Sequence, residues 1–197
     1  MEIVNHKEEV PFSYYEGLFR QLDPADAVAR LGNIWDGSAF HLELLGVHYT
    51  VSHPSCTITP AALLPAQTFL LRYLLEGKTV ESQGQWLTFR EMPWGELYIK
   101  PYTGRVLTRA AFTFGTRLQA FKAAAEKLGG IPVSHGDAGY QFSFIGEYAM
   151  QILVWEGDDE FPPNAQVLYS DNFASGFAAE DRVVAGDLLI SAIKANM

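Results

Sequence analysis

The chain has 197 residues, of which 48% are hydrophobic, 13% aromatic and 19% charged. Those proportions exclude intrinsic disorder, and the length suffices for one core without covalent staples. A formal net charge of −9 and the lack of any Lys/Arg cluster exclude nucleic acid and an anionic membrane surface as natural partners.

The opening MEIVNHKEEVPF has no basic stretch followed by an apolar run, so it does not read as a signal peptide. No segment approaches the roughly 18 consecutive apolar residues of a membrane-crossing helix. A soluble cytoplasmic protein is expected, with a single domain over residues 1–197 and a short helical N-terminal segment over about 1–33. In that segment SYYEGLFRQL reads as a helix. Asp23-Pro24 starts a second one, with Asp as the cap and Pro at the first helical position, and it stops near Gly32.

Ala39 to Ser52, AFHLELLGVHYTVS, reads as a β-hairpin turning at Leu45-Gly46. That register faces Leu44 with Val47, Leu42 with Tyr49 and Phe40 with Val51 on the apolar side. Glu43 faces His48 and His41 faces Thr50 on the polar side. Leu is poor turn chemistry at this place. Ala61 to Leu75 is apolar nearly all round and reads as a buried helix, starting near Pro65 and stopped by Gly77. QWLTFRE reads as a strand, Met92-Pro93-Trp94-Gly95 as a turn, and ELYIK as the returning strand. A long helix is predicted from about Arg105 to Leu128, with Phe114, Leu118, Phe121, Ala125 and Leu128 on one face. Gly129-Gly130 ends it.

Strands are predicted over Ile131–Ser134, Tyr140–Ile145, Tyr148–Trp155 and Ala165–Ser170, with a turn at Gly146-Glu147. The last helix, Asp181 to Lys194, is expected to carry Val184, Leu188 and Ile190 or Ile193 inward. Glu180 and Asp181 suit the positive end of its dipole. Adjacent strands with separated helices give an α+β fold: a mostly antiparallel sheet built from hairpins and packed with three to five helices.

Three places carry chemistry-bearing residues. The stretch WEGDDEFPPNAQVLYSDN holds Asp158, Asp159 and Glu160, with Asp171 further on, as oxygen donors for a divalent cation. Phe161, Pro162 and Pro163 fix the loop's shape, the EF-hand spacing is absent, and a solvated loop is the other reading. His48, His53 and Cys56 in HYTVSHPSC are donors suited to zinc, copper or the iron of a tetrapyrrole. If the strand continues past His48, His53 points to its other face, although Pro54 ends the strand. Cys56 is the one cysteine, so disulfides, cysteine-only zinc sites and all-cysteine clusters within one chain are excluded. Glu91 and Trp94, near Arg90 and Glu96, form a candidate pocket rim or an ordinary turn. The aromatic richness fits either a core or an aromatic-lined pocket.

Catalytic signatures are missing. There is no G-x-S-x-G elbow, no phosphate-binding G-x-x-x-x-G-K and no G-x-G-x-x-G. Ser134-His135-Gly136-Asp137 holds the letters of a triad, but neighbours along an extended chain diverge.

Two stretches share a pattern. One is Arg90-Glu91-Met92-Pro93 in WLTFREMPWGELY. The other is Gly157-Asp158-Asp159-Glu160-Phe161-Pro162, followed by Asp171 and Glu180-Asp181. Together they resemble an uncharacterised domain family of anaerobic bacteria and archaea, domain of unknown function 3786, over about residues 35–186. The resemblance implies no assigned reaction and carries over no catalytic residues. The Cys-rich iron–sulfur segment of some relatives has no counterpart here.

These readings favour a cofactor-binding or accessory protein, whose partner is a small molecule or a larger redox or methyl-transfer enzyme, with a homodimer left open. The alternative is a metal-dependent hydrolase or isomerase using Asp158, Asp159 and Glu160.

Overall fold

The computed structural model describes residues 11–197, so the start of the expected N-terminal segment lies outside the described residues. Helix α1 (Phe12–Phe19) and helix α2 (Pro24–Leu31) follow the sequence reading. Asp23 caps α2 by accepting from Ala25 N at 2.9 Å, and Gly32 ends it with φ 86°.

Strands β1 (Ala39–Leu44) and β2 (Val47–Ser52) pair in the expected register, residue for residue. Both turn residues have positive φ, 49° at Leu45 and 77° at Gly46. Leu45 bears that conformation because its side chain is only 6% exposed and its N–H donates to Phe144 O at 2.9 Å. Burial outweighs the local cost of a left-handed Leu, about 1–2 kcal/mol.

The short β3 (Ile58–Thr59) leads to helix α3 (Leu64–Glu76). β4 (Trp86–Thr88) is shorter than QWLTFRE suggested. It ends because Thr88 and Glu91 form a reciprocal cap around a 3-10 turn, Phe89–Glu91. ELYIK is not a strand. Gly95–Tyr102 is helix α4, which Trp94 caps in a left-handed conformation, φ 64°. Tyr98 and Tyr102 then fall four apart on the inward side, which is helical rather than strand spacing. A side chain on Gly95 would strike the Phe89 carbonyl, so the chain can bend this tightly only at glycine.

From α4 the chain continues through a π-helical segment, Thr103–Thr108, into helix α5 (Arg109–Phe114). Pro101 lies inside α4 and removes one donor, after which the ladder takes the wider spacing. The long helix expected from Arg105 to Leu128 is broken at Gly115, and helix α6 runs Leu118–Lys127. The break arises because Gly115 sits against Pro163 and the Trp155 carbonyl, leaving no room for a side chain.

Strands β5 (Ile131–Pro132), β6 (Ala138–Ile145), β7 (Tyr148–Trp155) and β8 (Asn164–Ser170) complete one antiparallel sheet. Its order is β3-β2-β1-β6-β7-β8-β4, with β5 also on β6. The fold is therefore α+β. Helix α7 (Phe173–Gly176) is a single turn leading to helix α8 (Ala179–Ala195). α8 buries Val183, Leu189, Ile190 and Ile193, while Val184 and Leu188, expected inward, are only half-buried. One apolar cluster extends from Tyr15 to Ile193 and takes up most of the aromatic rings. Among the described residues no helix is long and apolar enough to cross a membrane.

Candidate functional site

A cleft of about 670 Å³ opens between α3, the Pro93–Tyr98 corner and the approach to α8. Its size falls in the usual range for small-molecule sites, about 300–1,000 Å³. Phe177 forms an aromatic wall, stacked at 5.7 Å on Phe69 and 5.9 Å on Tyr73. Gly176 lets this wall approach the sheet, because Tyr148 Oη occupies the place of its missing side chain. That hydroxyl in turn donates to Lys78 O at 2.6 Å.

The floor is ionic. Arg72 of α3 pairs with Asp181 in the first turn of α8, and the two are 4% and 6% exposed. A carboxylate there also complements the helix dipole. Arg182 is 1% exposed and reaches across to Pro93 O at 2.6 Å, with its Nε on Ala178 O at 3.3 Å. Its guanidinium carbon lies 5.9 Å from the Phe89 ring centroid. The remaining nitrogen, Nη1, is buried without a hydrogen-bond partner. Burial pulls the Arg182 pKa below its ordinary value. Tyr98 donates to Glu180 at 2.5 Å, which raises the Tyr98 pKa and keeps it a donor rather than a base.

α8 has no side-chain cap. Ala178 has cap geometry, φ −67° and ψ 164°, but supplies no acceptor. The cleft lining holds three cations, Arg72, Lys78 and Arg182, against three anions, Glu76, Glu180 and Asp181, so its formal charge balances. Such a surface can hold and orient a flat polar molecule.

A second cleft of about 640 Å³ lies around Arg30, His41 and Tyr73. There the Arg30 guanidinium is spent on Leu74 O at 2.6 Å and on Gly77 O, closing the end of α3.

Of the candidate ligand residues named from sequence, Trp94 alone lines the larger cleft, 73% exposed at its mouth; Glu180 and Asp181 of the motif line it too. Glu91 accepts from Thr88 N and Oγ1, both at 2.7 Å, and those bonds lower its pKa. His48 stands 84% exposed on the hairpin, 3.3 Å from Glu43. His53 is instead packed among Phe19, Trp35 and Phe40, with ring centroids 5.3, 6.0 and 6.2 Å away. Cys56, in the following turn, is buried, and burial pushes its thiol up to about 11. The structure therefore does not bring His48 to His53 and Cys56.

Asp158 accepts from Glu160 N at 2.9 Å and Phe161 N at 2.7 Å, and these bonds hold its carboxyl below the usual range. Asp159 and Glu160 are exposed beside it. Asp171 accepts from Ser82 Oγ at 2.6 Å and Gln83 N at 3.1 Å, and its pKa is lowered chiefly by Ser82. Asp158 precedes β8 and Asp171 follows it, so seven strand residues separate them, about 20 Å. The four carboxylates do not converge. Among the described residues no group of three or more His, Cys, Asp or Glu is placed to hold a metal ion.

Sequence reasoning missed Arg72 and Arg182. Arg72 had a signal, being one charge inside an otherwise apolar helix. Arg182 had none, since Glu-Asp-Arg at a helix start usually faces water.

A family model described as Domain of unknown function (DUF3786) matches residues 23–192. The chain belongs to the DUF3786 family. The DUF3786 match runs from the cap of α2 into the later turns of α8, so it contains every residue of the cleft. Within it, the Arg-Glu-Met-Pro stretch builds the corner beside the cleft, and Gly-Asp-Asp-Glu-Phe-Pro builds the loop against Gly115. No curated protein and no solved structure matches the chain.

Proposed function

We propose that this DUF3786 protein binds a small organic molecule in the cleft between α3, α4 and the start of α8, as a binding or accessory protein rather than a catalyst. The observation that carries this reading is the pairing of a stacked aromatic wall with a buried ionic floor in one opening of ligand size. The setting we propose, on the motif likeness, is the cytoplasm of an anaerobic bacterium or archaeon.

The metal-dependent reading has less support, because Asp158 is used by its own loop and Asp171 lies at the far end of β8.

A metabolite screen by thermal unfolding tests the proposal. A true ligand at a hundred times its Kd adds about 2.7 kcal/mol, which raises Tm by about 5–10 °C in a chain of this size. Ser175 is exposed on the cleft lining, so Ser175→Trp should fill the opening and abolish the shift. A shift that survives Ser175→Trp places the ligand elsewhere and contradicts the reading.

A further inference from the structure

α8 is 17 residues long, and its first turn faces the cleft. The first turn of any helix directs N–H groups beyond its own ladder and carries the positive end of the dipole. A Ser, Thr, Asp or Asn cap meets this where the sequence supplies one, as Asp23 does for α2. Here the cap position is Ala178, exposed and in the right conformation, with nothing to offer.

Arg182 adds an independent observation. Its two bonded nitrogens donate to backbone carbonyls, of Ala178 and Pro93, and neither brings a negative charge. Nη1 has no acceptor at all, in a side chain that is 1% exposed and lines the same cleft. A charged donor left unmatched in a low-dielectric site is among the costlier defects a fold can carry. An arrangement that lacks both a cap and an acceptor at adjoining positions is completed by one incoming group.

We infer that the ligand of this cleft carries a carboxylate, seated on the uncapped first turn of α8 and on Nη1 of Arg182, with an aromatic or otherwise flat body against Phe177. This rests on the cleft being the binding site and specifies what enters it. A carboxylate is selected over a phosphate by the charge balance. Three carboxylates, Glu76, Glu180 and Asp181, already stand in the lining. One added negative charge is met by the helix end and Arg182, whereas a dianion faces three nearby carboxylates. Nη1 is shielded from water beside the Pro93 carbonyl that holds Nη2, so a contact made there meets no competition from solvent.

The test is a two-dimensional amide NMR titration of the full chain at constant ionic strength and pH 7. The probes are matched pairs, benzoate with benzamide and indole-3-acetate with indole-3-acetamide, with phenyl phosphate alongside. The acid of each pair is expected to bind about tenfold tighter than its amide, the gain of a charge-assisted bond. The shifts should centre on the first turn of α8. Ala178→Asp supplies the missing carboxylate from within and should bring the acid-to-amide ratio down to about one or below.

Equal binding of acid and amide in the wild-type cleft overturns the carboxylate inference and leaves the cleft reading standing. So does a preference that survives Ala178→Asp. Tighter binding of phenyl phosphate than of benzoate overturns the choice of a monoanion. If no probe moves the Phe177 and Tyr98 signals up to its solubility limit, the cleft reading and the inference fail together.

Discussion

Arg72 lies in α3 among Phe69, Leu70, Leu71, Tyr73 and Leu74, all buried. Its bond to Asp181 ties the middle of the chain to the start of α8. Removing one partner leaves the other charged in a dry site. Arg72→Met is expected to lower stability by about 3–5 kcal/mol, and Arg72→Met with Asp181→Asn to recover much of it, as read by urea unfolding. If the double variant is as unstable as the single one, the pair is not the source of the loss. Cys56 makes the opposite kind of prediction. With its thiol pushed up to about 11, only a trace is thiolate near pH 8. Its reaction with a disulfide reagent is expected to be slower than that of free cysteine by on the order of a hundredfold. A rate like that of free cysteine would show that the turn after β2 opens readily.

Asp158 and Asp171 also act at this scale. Both have folded pKa values below those of the unfolded chain. Their contribution is therefore complete above the unfolded aspartate value of about 3.9, and is lost as pH falls through the lower folded values. The amides of Phe161 and Gln83 should keep their protection from exchange down to about pH 4 and lose it below. Loss beginning near pH 6 would contradict this assignment.

At the scale of elements, α8 is the best place to change stability without touching the core. Ala178→Ser or Ala178→Asp is expected to add about 1 kcal/mol, because either gives an exposed cap position its missing acceptor. A neutral or negative effect in thermal unfolding would mean that the first turn is already satisfied. α2 shows why one end was legible and another was not. Asp23, Pro24 and Gly32 are local signals, and local chemistry decided that helix. ELYIK was misread because its outcome depended on distant facts. β4 pairs with β8 and stops at Thr88, and Gly95 must pass close to Phe89, so no hairpin partner exists. The long helix failed in the same way at Gly115, which is shaped by Pro163, nearly fifty residues on.

For the molecule as a whole, the sheet was readable because period-two patterning and two short turns fix neighbours along the chain, as in β1–β2 and β6–β7. The cleft was not readable, because it joins α3, α4 and α8, which are far apart in sequence. Trp94 was found through its turn. Arg72 and Arg182 could be understood only once the packing placed their charges indoors. The acidic loop, conspicuous as a string of letters, keeps Asp158 for its own backbone.

The central claim is that the cleft holds a small molecule. Native mass spectrometry of the protein isolated without denaturation from the cells that produce it, wild type beside Ser175→Trp, tests this most directly. A bound organic mass on the wild type that is absent from Ser175→Trp is the predicted result. A bare wild-type chain, or the same added mass on both, would contradict the account.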